Sequence, residues 1–225
     1  MVKGKQIYHI LLNKEKLIFT VIPKNANTSV KYILLKYINS DALKLIDLTN
    51  TDSFHNKTLK YFNFVSHEFC YHYDYDYLKI CIVRNPFDRL VSGWYNKIRT
   101  LPKNNQSRKR FGFNQYCTFD KFIIQIYQTK EEDLDRHFIP QYRFITHNNR
   151  IFSDIILRFE DLSNEWNELV QDLKDSHGIK LSNMVVNLNN DTERNKDYRK
   201  YYDKKLRKLV ETKFETDLNR FNYEF

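Results

Sequence analysis

The segment Leu17 to Leu35, LIFTVIPKNANTSVKYILL, constrains the fold more than any other stretch of this chain. An apolar run from Leu17 to Ile22 stops at Pro23, and the polar turn Lys24 to Asn27 follows. Thr28 or Ser29 then opens a run with helical apolar spacing at Val30, Ile33, Leu34 and Tyr37. The pattern predicts a strand, a tight turn and a helix N-terminus, where backbone N–H groups without intrahelical partners gather and suit an anion. Lys24 adds a charge, and Thr28 and Ser29 add hydroxyls. A phosphate- or sulfate-bearing ligand is therefore expected at Lys24 to Ser29, although the same pattern taken alone also fits a plain strand-to-helix turn. A nucleotide-triphosphatase loop is disfavoured. It needs G-x-x-x-x-G-K-[ST], whereas Pro23 to Ser29 contains no glycine and its lysine comes first.

Only four glycines occur in 225 residues, so asparagine must supply some positive-φ turns. An aromatic content of 16% excludes a disordered chain, and the length suits one domain, residues 1–225. The net charge of +9 favours anionic partners. No RNP, zinc-finger or helix-turn-helix pattern points to nucleic acid. Three cysteines, Cys70, Cys81 and Cys117, are an odd number without CxxC spacing, so no disulfide framework and no zinc site are read. The N-terminal apolar stretch is too short and interrupted for a signal peptide or membrane span, which gives a cytoplasmic protein as the expectation.

Strand–helix alternation predicts an α/β domain with a mainly parallel sheet flanked by helices. Ile7 to Leu12 and Leu17 to Ile22 read as a hairpin. Tyr61 to Ser66 and Leu78 to Val83 read as buried parallel strands, and Phe152 to Phe159 as another. Residues 41 to 60 read as a loop or short helix. Pro86 opens a helix with Phe87, Leu90, Val91, Trp94 and Ile98 on one face, and Gly178 closes the helix through Trp166 and Leu173. A final helix is expected from about Asp203 to Phe221. Thr100 to Gly112 is polar, basic and turn-rich, and reads as a surface loop.

The strand Lys79 to Val83 runs directly into Arg84-Asn85-Pro86-Phe87-Asp88-Arg89-Leu90-Val91-Ser92. Arg84 at a strand's C-terminal end and Ser92 two helical turns on form a guanidinium-plus-hydroxyl clamp suited to a terminal phosphate. The C-terminal edge of an α/β sheet is where nucleotides settle. Arg89 reads as a structural partner of a carboxylate.

PKNANTS (23–29) together with CIVRNPFDRLVSGWYNKI (81–98) resembles the PAPS-dependent carbohydrate sulfotransferases of the chondroitin, dermatan and HNK-1 type. The loop is similar to that of heparan sulfate 2-O-sulfotransferase. DRHFIPQY (135–142), ILRFEDL (156–162) and the tail from Tyr201 extend the resemblance over nearly the whole chain. It implies a P-loop-nucleotidase-like fold, PAPS as cosubstrate, no metal, and a carbohydrate acceptor, which the positive charge would allow to be anionic. Protein tyrosine, lipid and small-molecule hydroxyls are alternative acceptors, and a non-catalytic polyanion binder is the rival outside enzymes.

Carried over by the resemblance, Lys24 holds the phosphosulfate bridge and Asn25, Ala26, Asn27, Thr28 and Ser29 offer donors to it. Arg84 and Ser92 grip the 3′-phosphate, with a contact from Arg194. Sulfuryl transfer also needs a base on the acceptor hydroxyl. His67, at the end of the Tyr61 to Ser66 run, resembles a family histidine that serves so, with Glu68 and His137 as the other candidates. His55 and His72 read as solvated surface residues. Lys97, Arg99, Lys103, Arg108, Lys109 and Arg110 read either as solvated surface or as a groove for an anionic glycan.

Overall fold

The computed structural model describes residues 7–46, 51–72, 76–100, 117–184 and 194–225. The Thr100 to Gly112 loop with Lys103, Arg108, Lys109 and Arg110 lies outside the described residues except for Thr100. In chain order the elements begin with strands β1 (Tyr8–Leu12) and β2 (Leu17–Thr20) and helices α1 (Asn27–Ile38), α2 (Ser40–Leu43) and α3 (Thr51–Thr58). Next come β3 (Asn63–Ser66), α4 (His67–His72), β4 (Leu78–Val83), α5 (Pro86–Trp94) and α6 (Phe119–Gln128). The last are β5 (Thr146–His147), β6 (Arg150–Ile151), β7 (Ile155–Arg158), α7 (Leu162–His177), α8 (Lys204–Lys213) and α9 (Glu215–Phe221).

The chain forms two compact units, each from separate segments. One comprises the described residues of 7–83 and 145–191, the other those of 84–144 and 192–225. The first is a mixed α/β structure around a sheet of order β3-β1-β2-β4-β7. β1 pairs antiparallel with β2 and β3, and β2–β4 and β4–β7 are parallel, so every strand but β1 runs the same way. The predicted mainly parallel sheet is present. One face buries Ile10, Leu12, Leu17, Phe19, Ile80 and Ile82 against α1, α3 and α7, with Trp166 of α7 wholly buried. Each such aliphatic side chain contributes roughly 1.5–3 kcal/mol of burial. The opposite face packs Leu11 and Ile18 with Cys70 and Phe152.

The expected buried strand at Tyr61 to Ser66 is instead an edge strand. Among the described residues β3 pairs only with β1, and it buries neither face: polar Asn63 and Ser66 are exposed, and Phe64 and Val65 are half-buried. Of the two readings of residues 41 to 60, the described residues take the short-helix one, in α2 and α3. Gly178 ends α7 in the left-handed region at φ 69°, its N–H reaching Leu173 and Lys174 carbonyls. Asparagine supplies positive φ at Asn148, Asn149 and Asn222, as glycine scarcity requires.

The described part of the second unit is helical. Pro86 occupies the first turn of α5 and the side chain of Asn85 caps it by accepting from Phe87 N–H at 3.0 Å. The expected closing helix breaks at Phe214 into α8 and α9, with Asp203 capping α8. Among the described residues no helix is long and apolar enough to cross a membrane.

Candidate active site

In the α/β unit, the segment after β2 makes a strained turn. Asn25 N–H reaches Ile22 O at 3.3 Å, with Pro23 and Lys24 between them and Lys24 at φ 73°. That is the type II pattern, in which the third position wants glycine or asparagine. Ala26, the N-cap of α1, is also left-handed at φ 54°. A left-handed non-glycine residue costs on the order of 1–2 kcal/mol, and such strain collects where a backbone must present its N–H groups. Ala26 O accepts the first helical bond from Val30 at 3.0 Å, and no side chain caps α1. The N–H groups at the start of α1, Asn27 to Ser29, thus lack intrahelical partners. Alternating left- and right-handed residues form the concave nest that anions favour.

Asn25 is placed differently from the other loop residues. Its side chain donates to Ile82 O at 2.8 Å and is buried, so it ties the loop to the end of β4 and its own donors are committed there and at Ile22. Lys24 and Ser29 are half-buried, and Thr28 is buried.

His67 starts α4 immediately after β3, which runs the same way as β2, so it emerges at the sheet edge that carries the loop. Its Nε2 lies 3.0 Å from Thr146 O. A carbonyl only accepts, so Nε2 carries the proton and Nδ1 is the basic nitrogen. Nδ1 is buried, with the rings of His9 and Phe152 at 5.5 and 5.0 Å from the imidazole. His9 is wholly buried and its Nδ1 is 2.8 Å from Thr20 Oγ1. Burial, reinforced by His67, pushes His9 down to about 3, so it is neutral at physiological pH.

Glu68 is exposed and lies 3.6 Å from exposed His72. His55 corrects its expectation. It is half-buried, with Nε2 at 3.2 Å from Thr28 Oγ1 and Nδ1 at 3.5 Å from Lys31 Nζ. Periodicity could not reveal this, because α3 carries a polar, weakly periodic sequence.

In the helical unit, Arg84 follows β4 directly and is 3% exposed. Its Nε and Nη2 donate to Asp88 Oδ2 at 2.9 and 2.6 Å, while Arg194 Nη1 donates to Asp88 Oδ1 at 2.7 Å. Burial alone would raise the Asp88 carboxyl, but the two guanidinium groups outweigh it and hold Asp88 below the usual range. Asp88 and Ser92 are four residues apart on α5, so Ser92 follows Asp88 by about one helical turn. The structure thus joins Arg84 and Arg194 through Asp88.

The support beneath this cluster was not legible. The Gln141 side chain clasps the Arg84 backbone, accepting from its N–H at 2.9 Å and donating to its carbonyl at 2.8 Å. Asp217 in turn accepts from the N–H groups of Gln141 and Tyr142 at 2.6 and 2.8 Å. Burial pushes Asp217 up to about 6 against these bonds and the charge of Arg89. Arg89 is buried and donates to Ile139 O at 2.8 Å, the structural role expected, with Asp217 as its carboxylate. His137 Nδ1 lies 2.5 Å from Asp135 Oδ1, and burial lowers it to about 4 despite that carboxylate. It closes a local turn.

The sequence model of the sulfotransferase family, Sulfotransfer_2, matches residues 9–224. The chain belongs to the sulfotransferase family. Carbohydrate sulfotransferase 11 of Mus musculus is 25% identical over 190 residues, which are 72% of this chain and 52% of that protein. The chain therefore spans about half the length of the curated relative it matches. No solved structure matches it. The match includes both the strained turn at Lys24 to Ser29 and the residues Arg84, Ser92 and Arg194.

Proposed function

We propose that this chain, as one domain over residues 1–225, transfers a sulfuryl group from PAPS to a hydroxyl of a carbohydrate. The observation that carries the reading is the family match over residues 9–224, with a glycine-free loop held left-handed at Lys24 and Ala26. The residues fit the cosubstrate: an uncapped helix start suits a 5′-phosphosulfate, and paired guanidinium groups with a hydroxyl suit a 3′-phosphate.

PAPS supplies the sulfuryl group already bonded to a phosphate that can leave. Lys24 stabilises charge on that phosphate as it departs, and the N–H groups and hydroxyls of Asn27 to Ser29 hold the same end. Arg84, Ser92 and Arg194 orient the nucleotide through its 3′-phosphate, while Asn25 shapes the loop. His67 takes the proton of the acceptor hydroxyl, the role that the family resemblance gives it. No metal is needed for these roles. A carbohydrate acceptor is supported by the mouse relative's name and by the net charge of +9, which favours an anionic glycan. The reading includes a cytoplasmic location, checked by cell fractionation.

Radiolabelled PAPS offered with a panel of polysaccharides, phenols and lipids tests it. Label is expected in a polysaccharide. Label only in phenols or lipids would move the acceptor class, and nucleotide binding without transfer to any acceptor would leave a binding protein.

A further inference from the structure

Thr28 and Lys31 lie three positions apart on α1 and are both 7% exposed. They share a side of the helix. His55 of α3 meets both, with Nε2 3.2 Å from Thr28 Oγ1 and Nδ1 3.5 Å from Lys31 Nζ. An ammonium group can only donate, so the lysine makes Nδ1 the accepting nitrogen and leaves the ring proton on Nε2. Nε2–H then donates to Thr28 Oγ1, and the hydroxyl's own hydrogen is turned to another acceptor. Thr28 is the second residue of α1, in the turn whose N–H groups have no intrahelical partners.

We propose that His55 is a positioning residue: by donating from Nε2 to Thr28 Oγ1, with Lys31 fixing its tautomer, it aims the Thr28 hydroxyl at the anion held by the start of α1. The inference rests on the PAPS reading above and assigns His55 and Lys31 to the support of the 5′ end of the nucleotide. The reverse arrangement, with the hydroxyl donating to His55, would leave Thr28 no hydrogen for the anion. A side chain that acts only through Thr28 must lose its effect when the Thr28 hydroxyl is gone, which a double-mutant cycle reads directly.

Adenosine 3′,5′-bisphosphate is titrated calorimetrically into the full chain, and each variant's melting curve is recorded. His55→Ala and Thr28→Val are each expected to weaken binding about tenfold, the size of one charge-assisted hydrogen bond. The double variant should be no weaker than either single one. His55→Gln, whose amide donates from nearly the position of Nε2, should return affinity to within about threefold of wild type. Should His55→Ala melt below the assay temperature, His55→Phe keeps the ring's bulk without the donor and serves in its place. Wild-type affinity in His55→Ala, additive losses in the double variant, or His55→Gln as weak as His55→Ala each overturn the proposal. Failure of the wild type to bind the nucleotide overturns the PAPS reading itself, and this inference with it.

Discussion

The two anion-suited regions are built from different materials. After β2 the donors are mostly main-chain, gathered by two left-handed residues and an uncapped helix start, with one lysine beside them. Around α5 the donors are guanidinium side chains, already engaged by the Asp88 carboxylate at 2.6 and 2.7 Å. A backbone site depends on conformation and tolerates side-chain change wherever φ can be kept. A guanidinium site depends on residue identity, and its carboxylate both aligns the arginines and competes with an incoming anion. The first region should be sensitive to backbone geometry, the second to charge and to whatever holds its arginines.

The comparison breaks most sharply at the support of the second region. Asp217→Ala leaves the buried Gln141 N–H, the half-buried Tyr142 N–H and the buried Arg89 without their carboxylate, so denaturant unfolding should show a loss of about 3–5 kcal/mol. A loss under about 1 kcal/mol would mean that Gln141 and Arg84 hold themselves. Arg84→Ala should weaken adenosine 3′,5′-bisphosphate binding by about a hundredfold, roughly 2.7 kcal/mol, in calorimetry. Equal binding would remove Arg84 from the 3′-phosphate role.

Acid should act on both units through their buried histidines. His9 and His137 have folded values of about 3 and about 4, below the unfolded 6.5. The unfolded chain therefore takes up protons that the folded chain refuses, and stability falls as pH drops below about 6.5. At pH 5 each histidine contributes a loss of about 2 kcal/mol relative to pH 7. Urea unfolding at the two pH values should show the loss shrinking by that amount in His9→Asn; an unchanged loss would mean His9 titrates freely. Asp88 does not share this window, because its lowered value keeps its contribution intact until pH falls below the ordinary aspartate range. The smallest effect belongs to the strained turn. Ala26→Gly should relieve left-handed strain and, after the greater freedom of the unfolded chain is subtracted, raise stability by about 0.5–1 kcal/mol in thermal melts. A fall in stability would show that Ala26 sits there without cost.

Much of this was legible in the sequence. β4 occupies the predicted residues, Pro86 opens its helix and Gly178 closes another, because apolar runs, proline at a first turn and glycine past a last turn are local signals. The places of Arg84 just past β4 and of Ser92 within α5 were legible for the same reason. β3 was misplaced because an apolar run does not say whether a strand lies at the centre or edge of a sheet. His55 was misread because its partners, Thr28 and Lys31, are more than twenty residues away and its helix has little periodicity. Gln141 and Asp217 were missed for a similar reason, as their partners lie across 57 and 76 positions of chain.

Those long spans set an order of assembly. During synthesis from the N-terminus, Arg84 emerges long before the residues that hold its neighbourhood. Gln141 comes next, its own anchor Asp217 later still, and last the Glu224 carbonyl that accepts from the Asn85 side chain at 2.7 Å. A nascent chain can close the β1–β2 hairpin early, from contacts between near neighbours. The arginine cluster has to wait for Asp217, so a ribosome stalled anywhere short of residue 217 carries Arg84 and Arg89 without the carboxylate beneath them. Products cut short of Asp217 should therefore be prime clients for chaperones and proteases, however intact their β1–β2 hairpin is.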